Sequence, residues 1–204
     1  MPALVSTSFS HQSLGEFLER LASGEATPGG GSASALAGAL AASLVCMVCR
    51  LTLGREKFVS VSEQMQEMLT QAEGLRERLT SAVDADAEAY KAVLSAYALP
   101  RSDQAQRFAR AESIQAALRQ ATRVPLAVAV DCARVLDMAR VVVQVANPSA
   151  FSDSAVSELL AEAGLRGALR NVAINLPYVA DTCFVTDVQT QVERLEAACA
   201  RASS

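Results

Sequence analysis

The stretch "ATPGGGSASALAGALAASLVCMVCR" (26–50) decides how the rest of the chain is read. A proline, three glycines and a serine lead into a run with no charge before Arg50. Three readings compete: a phosphate loop, a membrane span, or the tight start of a buried helix. A phosphate loop needs Lys-Ser/Thr after its glycines and a strand before them, and "PGGGSASAL" (28–36) offers neither. The dinucleotide fingerprint fails as well, because Gly31 is followed by Ser32, Ala33 and Ser34. A membrane span needs about 20 strongly apolar residues. This run is instead rich in Ala, Ser and Gly, and it has no basic flank on its N-terminal side. A helix start remains. Its glycines let backbone approach closely, and its free N–H groups attract anions. Small residues at Ala35, Gly38, Ala39 and Ala42 suit close packing against a neighbour. A tight turn into a crowded core helix, with no ligand, fits the same residues equally well.

Outward from this helix, expected over 32–53 and broken by Gly54, the chain stays helical. "SHQSLGEFLERLAS" (10–23) reads as a short helix capped by Ser10 or Ser13 and ended by Gly24. Residues 58–98 place Val61, Met65, Met68, Ala72, Leu75, Leu79, Val83, Tyr90, Val93 and Tyr97 at helical spacing, and Pro100 stops the run. A long helical stretch covers 103–145, where Pro125 is expected to kink or divide it. "ANPSAFSDS" (146–154) is a loop whose Ser152 or Asp153 caps a helix over 153–176. After Pro177, a last helix is expected over 181–201. No strand period survives the count. Half the composition is hydrophobic (51%) but only 4% is aromatic, with no Trp, so the apolar mass is Ala, Leu and Val. That balance suits closely packed helices. The expected fold is all-α, a bundle of long antiparallel helices, with 1–204 as a single domain.

The formal charge of −4 comes without a basic stripe, which argues against a nucleic-acid partner. Five cysteines, an odd number, and the lack of a secretory signal point to a reducing cytoplasm. Cys46 and Cys49 form a C-x-x-C inside an apolar run without a second ligand pair, and read as small buried side chains. His11 stands alone without metal partners, so no metal is expected.

One carboxylate is in the wrong place. In "VDADAEAY" (83–90), Asp86 lies a heptad from Leu79 and from Val93, and its i±3 and i±4 neighbours are Ala82, Val83, Ala89 and Tyr90. It sits within the apolar stripe, whereas Asp84 shares its heptad position with Glu77 and Lys91 on the polar face. An inward carboxylate is costly unless paired, and desolvation raises its pKa. A general acid or base near neutral pH has that requirement. A buried aspartate satisfied by a helix terminus or an arginine fits the pattern too. In "GLRGALRNVAINLP" (164–177), Asn171 and Asn175 follow small residues at i, i+4 spacing. They suggest either a groove with amides at one end or amide bonds between helices.

The segments "TPGGGSASALAGALAASLVCMVCRLTLG" (27–54), "VDADAEAYKAVLSAYALP" (83–100), "IQAALRQATRVPL" (114–126), "NPSAFSDSAV" (147–156), "GLRGALRNVAINL" (164–176) and "DTCF" (181–184) occur in one order. Together they resemble the cyclodeaminase/cyclohydrolase family. That family includes the C-terminal domain of formiminotransferase-cyclodeaminase and free-standing bacterial methenyltetrahydrofolate cyclohydrolases. The resemblance runs from Leu14 to about Phe184. It implies an all-helical homodimer acting on tetrahydrofolate that carries a one-carbon unit, with no cofactor beyond that substrate. The family's catalytic aspartate falls on Asp86. Gly29, Gly30, Gly31 and Ser32 match its glycine motif, while Lys57, Asn147, Asp153, Asn171 and Asn175 match recurrent polar positions and are expected to bind substrate. Arg55-Glu56 replaces a more usual basic pair, and Arg101 stands where Lys is common, both bearing on how an acidic folate tail is held.

With so few residues upstream of residue 10, no formiminotransferase domain is expected there. That absence and the likeness of "SLVCMVCRLTLG" (43–54) to the free-standing enzymes favour cyclohydrolase, with cyclodeaminase as the alternative. A non-catalytic folate-binding or helical interaction protein is a further one. The glutamate tail is expected at the Gly29–Ser32 helix start, with the pterin beside Asp86.

Overall fold

The computed structural model describes residues 8–200, so the expected end of the last helix at Arg201 lies outside the described residues. Six helices carry the fold: α1 (Leu14–Ala22), α2 (Gly30–Thr52), α3 (Ser62–Ala98), α4 (Gln104–Val145), α5 (Phe151–Asn175) and α6 (Thr182–Ala200). Short 3-10 turns occupy Phe9–His11, Glu56–Val61, Pro148–Ala150 and Leu176–Tyr178, and no strand occurs among the described residues.

Side-chain pairings fix the antiparallel register. Between α2 and α3, Ser32 bonds Asp86 while Arg50 pairs with Glu73. Along α3 and α4, Arg78 clasps Asp131 with two bonds of 2.9 Å and Arg110 donates to the Tyr97 carbonyl. Against α4, α5 runs from Glu158 beside Arg140 to Asn175 beside Ala121. The Ser157 hydroxyl reaches the Ala41 carbonyl of α2 at 2.9 Å.

α2 sits among α3, α4 and α5. By length and composition it is apolar enough to cross a membrane, and most of that apolar window is buried inside the bundle. Its small residues decide how close its neighbours come. A Cβ at Gly38 would lie 2.5 Å from Cys132 Sγ, and one at Gly164 would lie 2.9 Å from the Ser34 carbonyl and 3.1 Å from the Gly38 nitrogen. α5 therefore meets α2 backbone to backbone. Gly164→Val should destabilise the fold by about 2 kcal/mol or more, since side-chain atoms placed there push rigid backbone apart. Urea unfolding checks this; an unchanged midpoint would refute the close crossing. At the far end α2 stops at Thr52, and Gly54 turns the chain with φ +76.

Four sequence expectations are narrowed or changed in detail. Ser13 caps α1, its hydroxyl accepting from the Glu16 N–H while the Glu16 carboxylate accepts from Ser13 N–H at 2.8 Å. α5 begins at Phe151 without a side-chain cap, because Asn147, rather than Ser152 or Asp153, caps the turn that leads into it. Pro125 neither divides nor ends α4, which is assigned as one helix from Gln104 to Val145. Proline removes the N–H that residue 121 would receive. The Ala121 carbonyl is satisfied from across the interface instead, by Asn175 Nδ2 at 2.8 Å. An amide on α5 thus repairs the break in α4.

Asp84 is the fourth. It is half-buried and holds the N-terminal turn, accepting from the Ser8 hydroxyl at 2.6 Å and from the backbone N–H groups of Phe9 and Ser10. Phe9 then packs edge-on against Phe17, ring centroids 6.4 Å apart. Burial pushes the Asp84 carboxyl up, but the hydroxyls of Ser10 and Ser8 and the two N–H groups outweigh it and hold the pKa below its ordinary value. A lowered pKa contributes stability above the unfolded value, lost as pH falls through the folded one. Asp84→Ala should release the turn, seen as faster proteolysis around residues 8–22. Its stability deficit should shrink as pH drops below about 4. A deficit that held constant into acid would contradict this.

Candidate active site

Five elements converge on one cavity of about 430 Å³. The start of α2 supplies Gly29, Gly30 and Gly31, and the chain before it supplies Ala26 and Thr27. α3 contributes Asp86, Tyr90, Val93 and Tyr97; α4 contributes Leu118 and Ala121; α5 contributes Asn171, Ile174 and Asn175. Tyr178, from the turn after α5, completes the rim. The volume lies in the range of small-molecule sites.

Asp86 is half-buried, as its place in the apolar stripe requires. Its Oδ2 lies 3.1 Å from Ser32 Oγ, which is also 2.9 Å from the Val83 carbonyl. Gly29 is the N-cap of α2, with no side chain to occupy the free N–H groups of the first turn. Gly31 is what lets the carboxylate reach them, since a Cβ there would fall 2.0 Å from Asp86 Oδ1. Desolvation pushes the Asp86 pKa up, opposed by the hydroxyl and backbone N–H of Ser32. Among the cavity residues no other side chain is an acid or a base of the Asp, Glu, His, Lys or Arg kind.

The two asparagines reach the cavity wall with their amides already engaged, Asn171 Nδ2 on the Gly167 carbonyl at 2.9 Å and Asn175 Nδ2 on Ala121. Asn175 therefore bonds between helices while lining the groove, and both sequence readings apply to it. The remaining expected residues are not brought here. Asn147 is buried at the far end of α2, its N–H on Thr52 Oγ1 at 3.0 Å and its Nδ2 on the Leu51 carbonyl at 3.2 Å. With a rise of about 1.5 Å per residue, that end is roughly 30 Å from Gly30. Asp153 lies in the first turn of α5 at the same end, and exposed Lys57 stands over the Phe58 ring in the turn following α2. Among the described residues, no three His, Cys, Asp or Glu side chains come together. Cys46, Cys49 and Cys132 are buried free thiols; burial raises all three, Cys49 to about 11 and Cys132 to about 12.

Sequence reasoning missed the aromatic lining. All three tyrosines of the chain border this one cavity. Tyr90 and Tyr97 carry helical stripe spacing and so read as core, yet they are 44% and 47% exposed. Their position one and three turns beyond Asp86 on the same face was the available signal.

A family model described as Formiminotransferase-cyclodeaminase matches residues 13–194. The chain belongs to that family. Over 185 residues it is 42% identical to a methenyltetrahydrofolate cyclohydrolase of Methylorubrum extorquens, covering 91% of this chain and 89% of that protein. It is 35% identical to the formimidoyltransferase-cyclodeaminase of Sus scrofa over 91% of this chain but 34% of that protein, so it spans about a third of the animal relative's length. The crystal structure of a formiminotetrahydrofolate cyclodeaminase from Thermotoga maritima superposes with a TM-score of 0.82 at 27% identity, covering 93% and 90% of the two chains. This family member is helical over its described residues, with the Asp86 cavity at the start of α2.

Proposed function

We propose that the chain hydrolyses 5,10-methenyltetrahydrofolate to 10-formyltetrahydrofolate, as its 42% identical relative is named to do. The observation that carries the reading is Asp86, an aspartate with a raised pKa that is the one carboxylate in an otherwise uncharged cavity. The substrate ring is cationic between N5 and N10, and a lone carboxylate in a partly dry site favours that charge. Asp86 takes a proton from water as the water oxygen bonds to the one-carbon centre. The tetrahedral adduct then collapses: the C–N5 bond breaks, N5 receives the proton held by Asp86, and the hydroxyl proton leaves as the formyl C=O forms. One proton is released overall. Flat rings suit the tyrosine-lined wall.

The solved Thermotoga maritima structure favours a second reading, cyclodeamination, in which N10 attacks the formimino carbon and ammonia departs. Absorbance at the methenyltetrahydrofolate band separates the two. Loss of signal from methenyltetrahydrofolate above the buffer rate means cyclohydrolase; gain of signal from 5-formiminotetrahydrofolate with ammonia release means cyclodeaminase. No change with either refutes both. The reading further takes the chain as one catalytic domain, cytoplasmic, needing no cofactor beyond folate, free of nucleic acid and membrane, and homodimeric. Exposed Leu40, Val156 and Leu159 flank the α2–α5 contact and support a self-association face. Light scattering tests the dimer.

A further inference from the structure

Ser32 is fully buried, and its hydroxyl stands between two oxygens, the Val83 carbonyl at 2.9 Å and Asp86 Oδ2 at 3.1 Å. A serine hydroxyl has one proton to donate and lone pairs to accept with. The Val83 carbonyl has no proton, so that contact always needs the serine's. The Asp86 contact works in either direction. An ionised carboxylate accepts from Ser32; a carboxylic acid protonated at Oδ2 donates to Ser32 Oγ. A charge-assisted bond is about twice as strong as a neutral one, so the serine proton goes to Asp86 while it is ionised. Val83 keeps its place in the α3 ladder meanwhile and is not orphaned. Once Asp86 holds a proton, Ser32 turns to Val83 and both contacts are made together. One hydroxyl rotation serves both states, with no heavy atom moved.

We propose that Ser32 is the positioning residue that holds the Asp86 carboxyl in one place as base and then as acid, its hydroxyl turning from Asp86 to the Val83 carbonyl as the proton arrives. In the first half of the reaction a water O–H bond breaks and an Asp86 O–H bond forms. In the second the Asp86 O–H bond breaks, the proton goes to the departing nitrogen, and Ser32 turns back. Ser32 itself neither gains nor loses a proton. The inference rests on Asp86 being the general base of the proposed reaction. Other groups facing Asp86 do not compete for this role. On its own helix these are Tyr90 and Tyr97, and beyond it Tyr178; α2 presents glycines, α4 Leu118 and Ala121, and α5 Asn171, Ile174 and Asn175. None is a carboxylate, imidazole, ammonium or guanidinium.

The test is a carboxyl titration of 13C-aspartate-labelled protein by NMR, the Asp86 resonance being identified by its loss in Asp86→Asn. It is run on wild type, Ser32→Ala and Ser32→Cys, beside pH profiles of kcat and KM. Losing the hydroxyl should raise the Asp86 pKa by about one unit. Ser32→Cys, a weaker donor, should fall between, and it carries the comparison should Ser32→Ala not fold. The acid limb of the rate profile should move with the titration, and kcat should fall about tenfold while KM stays put. An unchanged Asp86 pKa in both variants overturns the proposal, as does a shifted pKa whose acid limb does not follow. If wild type turns over neither folate while the pKa still shifts, the folate reading fails and the hold of Ser32 on Asp86 stands.

Discussion

Asp86→Asn should lose roughly a thousandfold in turnover and melt at a higher temperature than the wild-type chain. The two effects share a cause. Burial raises the Asp86 pKa, so the folded chain holds this proton more tightly than the unfolded chain does. Such a group contributes stability that is full below the unfolded value and is lost as pH rises through the folded one. As pH rises the carboxylate ionises against that gradient, and the fold carries the cost. The amide keeps the shape and a hydrogen bond to Ser32 without the charge, so the cost disappears along with the base. Thermal melts at pH 7 and at about pH 4 check the sign, because the gain should fade in acid. Turnover of the Asn variant near wild-type rate would remove Asp86 from the chemistry.

Gly31→Ala should cost about a hundredfold in kcat while leaving the chain folded. The added methyl would lie 2.0 Å from Asp86 Oδ1 and 2.4 Å from its Cγ, so the carboxylate has to swing out of place. What moves is the end of a side chain rather than backbone, and alanine favours a helix by up to about 1 kcal/mol over glycine. Stability should therefore hold or rise as activity falls. Gly30→Ala is the contrast: the nearest atom to a Cβ there is Asn171 Nδ2 at 3.8 Å, ordinary contact, and its kcat should stay within about threefold of wild type. Equal losses in both variants would indict the loop as a whole rather than the carboxylate.

The long helices were legible because their apolar positions recur at 3.6 residues, and Asp86 was legible because it interrupts that recurrence. Tyr90 and Tyr97 were hidden for the same reason, since a side chain lining a groove keeps the spacing of one lining a core. Asp84 shares its heptad position with charged neighbours, and the chain that folds back onto it is 74 to 76 residues away. Nothing local announces such a contact. Asn147 and Asp153 lie close in sequence to each other and far in space from Asp86; a motif match carries residue identity but not which end of a helix it occupies. Pro125 read as the point where α4 kinks or divides; the helix instead runs on, with the lost N–H replaced from α5. Where the replacement comes from is a fact of packing.

That replacement ties the history of two positions together. With Pro125 in place, Asn175→Ala leaves the Ala121 carbonyl without a donor, at about 1–3 kcal/mol. With Pro125→Ala, the backbone supplies its own N–H and the same loss at 175 should become nearly neutral, a coupling that a double-mutant cycle reads directly. The order of change then matters. A lineage can shed the amide after it sheds the proline, but reversing the two steps passes through a weakened intermediate. Because Ala121 and Asn175 both line the cavity, this epistasis reaches the shape of the site as well as the stability of the bundle.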